Sequence, residues 1–137
     1  MALLTLMLVL MVGSIWNDAA TMDELAHIPA GFGYVTQRDY RLNPEHPPLV
    51  KVLAALSAHL VVRPYFPTET VYWRDEVNSQ WAQGAAFLYG FGNDAERILF
   101  WSRLPLILLT VCLAYLFYRW TRKRFGMRVA LMTLLFF

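Results

Sequence analysis

Three stretches of the chain are almost wholly apolar, and the polar residues fall between them. From Ala2 to Trp16 the run of Leu, Met, Val and Ile is broken by little more than Thr5, Gly13 and Ser14. It is slightly short for a crossing, and Trp16 suits an anchor at the membrane–water boundary. A signal peptide is the alternative. No Lys or Arg precedes the run, however, and Asn17-Asp18-Ala19-Ala20 makes a poor cleavage site. From Ile98 to Tyr118 the pattern is that of a complete span, with Arg103 near its start as the one charge. From Met127 to Phe137 a third apolar run falls far short of the roughly 20 residues a crossing needs, and it reads as the start of another crossing. The sequence is therefore expected to be the N-terminal part of a longer polytopic protein, a complete small subunit with a re-entrant end being the alternative.

Between the first two runs the pattern changes to short elements. Thr21-Met22-Asp23-Glu24 fits a capping box, with Thr21 capping the helix and Glu24 reaching back to the free N–H. A helix from Met22 carries Asp23 and His27 on one face, and Pro29 should kink it or end it early. Gly31 and Gly33 suit close packing or a turn. Residues 37–44 are polar and turn-like. Pro47-Pro48 offers a first helical turn, with Asn43 or Glu45 as candidate caps. Leu49, Val52, Leu53, Leu56 and Leu60 recur at helical spacing, which predicts an amphipathic helix over 48–62, short enough to lie in the interface. Over 63–92, Tyr65, Tyr72, Trp73, Trp81 and Tyr89 suggest a loop or short helices at headgroup level, with the aromatics as anchors. Asn93 or Asp94 can cap the next helix.

The expected fold is all-α: a polytopic membrane fragment with a first span over 1–16, a large outer loop with interfacial helices over 17–97, and a second span over 98–118. A basic loop over 119–128 and the start of a third span over 129–137 follow. Arg119, Arg122, Lys123, Arg124 and Arg128 form the densest basic cluster, so the positive-inside rule puts that end in the cytoplasm and 17–97 on the periplasmic or extracellular side. Composition agrees: 58% of the 137 residues are hydrophobic and 16% charged, against about half and a quarter in water-soluble domains. Membrane lipids are thus expected partners. A formal net charge of +2 gives no footing for nucleic acid. The single cysteine, Cys112, sits in an apolar run and forms no intrachain disulfide.

The candidate chemistry lies in one stretch. Asp23, Glu24, His27, Arg38, Asp39, Arg41, Glu45, His46 and Lys51 crowd between two apolar segments. So many titratable groups beside a membrane span point to a site. The order of these residues is also familiar. Asp23-Glu24 with His27 and Gly31, then Pro44-Glu45-His46-Pro47-Pro48-Leu49 with Lys51, then Ser102-Arg103-Leu104-Pro105 opening a span, resembles the GT-C membrane glycosyltransferases. Within them it looks most like the bacterial family 39 proteins related to protein O-mannosyltransferases and lipid A aminoarabinose transferases, over their N-terminal portion.

That resemblance implies transfer of a sugar from a polyprenyl-phosphate donor to a protein, lipid or glycan acceptor on the outer side. It makes Asp23 the general base, with Glu24 orienting it or the acceptor. Arg103, with Lys51 or His46, would face the donor phosphate. It also implies substrate contact or a divalent metal ion at Glu45, and structural support or substrate contact from His27. Each residue has a plainer reading. Asp23 can serve the helix dipole, Glu24 the capping box, and Lys51 and Arg103 can snorkel to headgroups. Two other functions compete: a non-catalytic membrane assembly or binding subunit, and a transporter or lipid flippase.

Overall fold

The computed structural model describes residues 1–137 as helices without a strand: α1 Ala2–Ser14, α2 Met22–Phe32, α3 Pro48–Val61, α4 Val71–Arg74, α5 Gln80–Ala85, α6 Ala95–Phe125 and α7 Met127–Leu135. Wide π-type turns extend α2 over Gly33–Gln37 and α5 over Ala86–Gly90. The chain divides into two compact units, Asn17–Pro105 and Met1–Trp16 with Leu106–Phe137. The division falls at Pro105, inside α6.

In the unit Asn17–Pro105, the stretch expected as a loop folds around its own core. Ile28, Phe32 and Tyr34 of α2 and its extension pack with Leu42, Ala55, Phe66, Trp73, Phe87, Leu88 and the first turns of α6 at Ile98 and Leu99. Trp73 is 7% exposed and edge-on to Phe66 at 5.0 Å. It is a core residue rather than the boundary anchor its neighbours suggested, because α4 is a single turn that delivers it inward. Trp81, Tyr65 and Tyr89 stay exposed. The amphipathic helix appears at 48–61, but its first turn has no side-chain cap. Asn43 and Glu45 are occupied elsewhere.

Pro29 does not end α2, which continues to Phe32. It does remove the N–H that would bond the carbonyl of Leu25. Gly84 of α5 packs directly against that carbonyl oxygen: a Cβ on Gly84 would stand 1.8 Å from it and 3.2 Å from the Pro29 ring. Gly31 makes the matching contact on the other side of α2, where a Cβ would meet the Lys51 carbonyl oxygen at 2.2 Å. Both neighbouring helices therefore touch α2 backbone to backbone. Gly84→Ala is expected to destabilise this unit by about 2–3 kcal/mol, the upper range for overpacking, and thermal unfolding of the purified variant checks it. An unchanged melting temperature would show that α5 is free to move away.

In the other unit, α1 is apolar throughout but only 13 residues long. At 1.5 Å per residue that is about 20 Å, against a hydrocarbon core of about 30 Å. The 31 residues of α6 give about 46 Å, and α6 is the one helix long and apolar enough to cross a membrane. Beyond Pro105 one face of it is apolar and open, with Leu108, Leu109, Leu113, Leu116 and Phe117 each more than 40% exposed, while Ile107 and Ala114 are buried. Gly126 alone separates α6 from α7, which contacts α1.

Candidate functional site

The two adjacent acids at the start of α2 have separate fates. The capping box forms as the sequence predicts. Glu24 N–H donates to Thr21 Oγ1 at 3.4 Å, and Thr21 N–H donates to Glu24 Oε2 at 2.8 Å. Arg103 then closes on the same carboxylate from α6. Its Nε donates to Oε1 at 2.6 Å and its Nη2 to Oε2 at 2.7 Å. The guanidinium also donates to the carbonyls of Asp18 at 3.1 Å and Ala19 at 2.8 Å. Four of the five N–H donors an arginine owns are thus used inside the protein, and the side chain is 10% exposed. Arg103 is an internal clamp. The expected role at the donor phosphate gives way to it, since Glu24 is a bidentate partner already in place. Glu24 likewise anchors the helix, with both carboxylate oxygens engaged by Arg103 and Thr21.

Burial alone would raise the Glu24 carboxyl, but the Arg103 and Thr21 hydrogen bonds outweigh it and hold the group below its ordinary value. A carboxyl lowered on folding adds stability that is complete above its unfolded value, about 4.3. That stability is lost as pH falls through the lower folded value. Melting temperature should therefore fall on acidification below that point, and Glu24→Gln should make the fall shallower. Asp39, lowered chiefly by its Arg41 hydrogen bond, acts in the same direction and keeps some slope in the variant. An identical slope in Glu24→Gln and wild type would mean the carboxylate gains nothing from folding.

Asp23 is one residue away, hence about 100° around the helix, and stands outside this clamp. It is exposed and makes no hydrogen bond or ion pair. His27 lies one turn further along, and no hydrogen bond joins it to Asp23. Instead the His27 ring meets the His46 ring edge-on at 5.2 Å, and its buried Nδ1 has no partner. The histidine pair links the α2 face that carries Asp23 to the turn that carries Glu45 and His46.

Glu45 rests in a cradle of amides. Gln80 Nε2 donates to Oε1 at 3.0 Å, Asn43 Nδ2 to Oε1 at 3.4 Å and Asn78 Nδ2 to Oε2 at 3.4 Å. Asn43 Nδ2 also bonds Gln80 Oε1, and Asn43 N–H donates to Asn78 Oδ1 at 2.7 Å. Its own backbone N–H first, and Gln80 next, hold the carboxyl below its usual range. Such a set of N–H donors does not fit a divalent cation, which needs oxygen or imidazole lone pairs aimed at it. No group of three His, Cys, Asp or Glu side chains gathers to hold one.

Lys51 corrects the sequence reading most clearly. It is 2% exposed, neither snorkelling nor facing a ligand. Its ammonium donates to Tyr34 OH at 3.1 Å, to the Asn43 carbonyl at 2.5 Å and to the His46 carbonyl at 2.8 Å. Those three bonds spend all three donors of an ammonium. Tyr34 OH in turn donates to the Leu42 carbonyl at 2.6 Å. Lys51 thereby pins the 42–46 turn and fixes where Glu45 and His46 emerge.

Sequence reasoning missed Tyr34, Asn78 and Gln80. Asn78 and Gln80 reach Glu45 and Asn43 across 33–37 positions, and no periodicity announces a polar contact at that separation. Comparison with protein-family models, with curated proteins and with solved structures finds no match to this chain.

Proposed function

We propose that this chain carries the catalytic base of a GT-C-type membrane glycosyltransferase, which moves a sugar from a polyprenyl-phosphate donor to an acceptor outside the membrane. In this reading α6 crosses the bilayer, the short α1 crosses where the bilayer thins around it, and the unit Asn17–Pro105 lies on the outer side. Asp23 takes the proton of an acceptor hydroxyl as its oxygen attacks the anomeric carbon. The bond from that carbon to the phosphate oxygen breaks, and the lipid phosphate leaves as an anion with the electron pair. No acid is needed to protonate it, unlike the paired carboxyls of glycosidases.

One observation carries the reading: of two adjacent acids, Glu24 is fixed by Arg103 and Thr21 while Asp23 is left exposed and unpartnered. A general base needs a rigid mount and a free carboxylate, and this first turn supplies both. With Arg103 and Lys51 spent inside the protein, the His27–His46 ring pair, whose His27 lies one turn from Asp23, offers nitrogen donors to the departing phosphate.

The same spent arginine favours a second reading, a non-catalytic assembly subunit, since the arginine that the resemblance aims at the donor phosphate is already paired with Glu24. Incubating the full-length protein in membranes with radiolabelled polyprenyl-phosphate sugars separates the two. Label passing to an acceptor supports the enzyme; none passing from any donor in the panel supports the subunit.

A further inference from the structure

The basic end of α6 borders an open cavity of about 730 Å³. We propose that this cavity binds the phosphodiester headgroup of an anionic membrane phospholipid. The inference needs α6 to cross a bilayer and does not depend on the sugar-transfer chemistry.

The walls are cationic and aromatic: Tyr115, Tyr118, Arg119, Trp120, Arg122 and Lys123. Each arginine is aimed by the tyrosine one turn before it. Arg119 Nη1 donates to Tyr115 OH at 3.3 Å with its guanidinium 5.8 Å from that ring centre, and Arg122 Nη1 donates to Tyr118 OH at 3.4 Å. Tyr118 is itself buried and its hydroxyl donates to Met127 Sδ of α7 at 3.5 Å. These contacts hold the guanidinium groups in place but leave most of their N–H donors unused.

No carboxylate answers them. The chain has no Asp or Glu after Glu96, and neither ion pair of the protein involves this cluster. Cations held together on one helix end repel each other, and an anion bridging them relieves that cost. Guanidinium groups suit a phosphate oxygen pair better than any other biological anion but carboxylate.

A second cavity tells which phosphate. A groove of about 340 Å³ lined by Leu113, Leu116, Phe117 and Trp120 lies one turn back along α6 and shares Leu116 and Trp120 with the first. It has no polar residue. A cationic chamber leading into an apolar groove toward mid-helix matches a headgroup with its acyl chain, and basic pockets beside spanning helices are known lipid sites. A free phosphate ion would have no use for the groove.

The test uses the full-length protein in a neutral detergent, titrated with short-chain phosphatidylglycerol, with phosphatidylcholine, or with inorganic phosphate, reading the rise in melting temperature. Phosphatidylglycerol alone should raise it in a saturable way. Arg119→Gln with Arg122→Gln should weaken the apparent affinity by about tenfold or more, whereas Arg124→Gln with Arg128→Gln, an equal loss of charge outside the cavity, should weaken it by about threefold or less. An equal response to phosphatidylcholine, an equal response to phosphate, or equal weakening by the two pairs of substitutions would overturn the site. If the arginine variants do not fold, tryptophan quenching decides. Brominated phosphatidylglycerol should quench wild type more than brominated phosphatidylcholine does, and Trp120→Phe should abolish the difference. No difference in wild type, or one that survives in Trp120→Phe, overturns the proposal.

Discussion

Asp23→Asn is expected to lower sugar transfer by about 10²–10⁴-fold, the range for loss of a general base, while lowering the melting temperature by no more than about 2–4 °C, as for a surface change that also weakens one charge–helix-dipole contact. The two halves of this expectation come from one geometry. Asparagine keeps the shape and the dipole of the side chain but cannot accept the acceptor proton at neutral pH. No hydrogen bond or ion pair is lost, because Asp23 makes none. The loss should fall on kcat and kcat/KM together, since the proton moves only as the acceptor attacks. A variant with unchanged KM and greatly reduced kcat fits this; one with raised KM alone would turn Asp23 into a binding residue.

Arg103→Met has the opposite signature. It should destabilise the unit Asn17–Pro105 by about 3 kcal/mol, the lower end for breaking a buried pair, because Glu24 keeps some contact with water. The Glu24 side chain is 23% exposed and that of Arg103 10%, too little for the exposed-pair value of under about 1 kcal/mol. The carbonyls of Asp18 and Ala19 also lose their donor. Adding Glu24→Gln to Arg103→Met removes the stranded carboxylate and should recover part of the loss, with a coupling of about 1–3 kcal/mol in the double-mutant cycle. Urea unfolding in mild detergent measures all four corners. A single-mutant cost under about 1 kcal/mol would make the pair an ordinary solvated bridge.

The sequence was most legible where the signal is local. The capping box at Thr21–Glu24, the helix at 48–61 and the cap by Asp94 on the N–H of Arg97 all follow from residues three or four apart. So does the split between an apolar α6 and its basic end. What failed was every inference about a charged side chain whose partner is far along the chain. Arg103 meets Glu24 from 79 positions away, and Lys51 finds Tyr34 at 17. Composition says only that such charges sit beside apolar segments; it does not say whether they face lipid, ligand or each other. Trp73 failed for a related reason. An aromatic in a Pro- and Tyr-rich stretch looks like a boundary anchor until a core exists to receive it, and that core is assembled from seven separate segments between Ile28 and Leu99.

The account stands on a division of labour between neighbours, one acid holding the helix and the other serving the reaction. Its most direct measurement is the single-turnover transfer rate per folded molecule for Asp23→Asn and Glu24→Gln, taken beside their melting temperatures. The account predicts that Asp23→Asn melts close to wild type and barely transfers, whereas Glu24→Gln melts several degrees lower and, where folded, transfers within about tenfold of wild type. Wild-type turnover in Asp23→Asn, or a rate loss in Glu24→Gln without loss of stability, would contradict it.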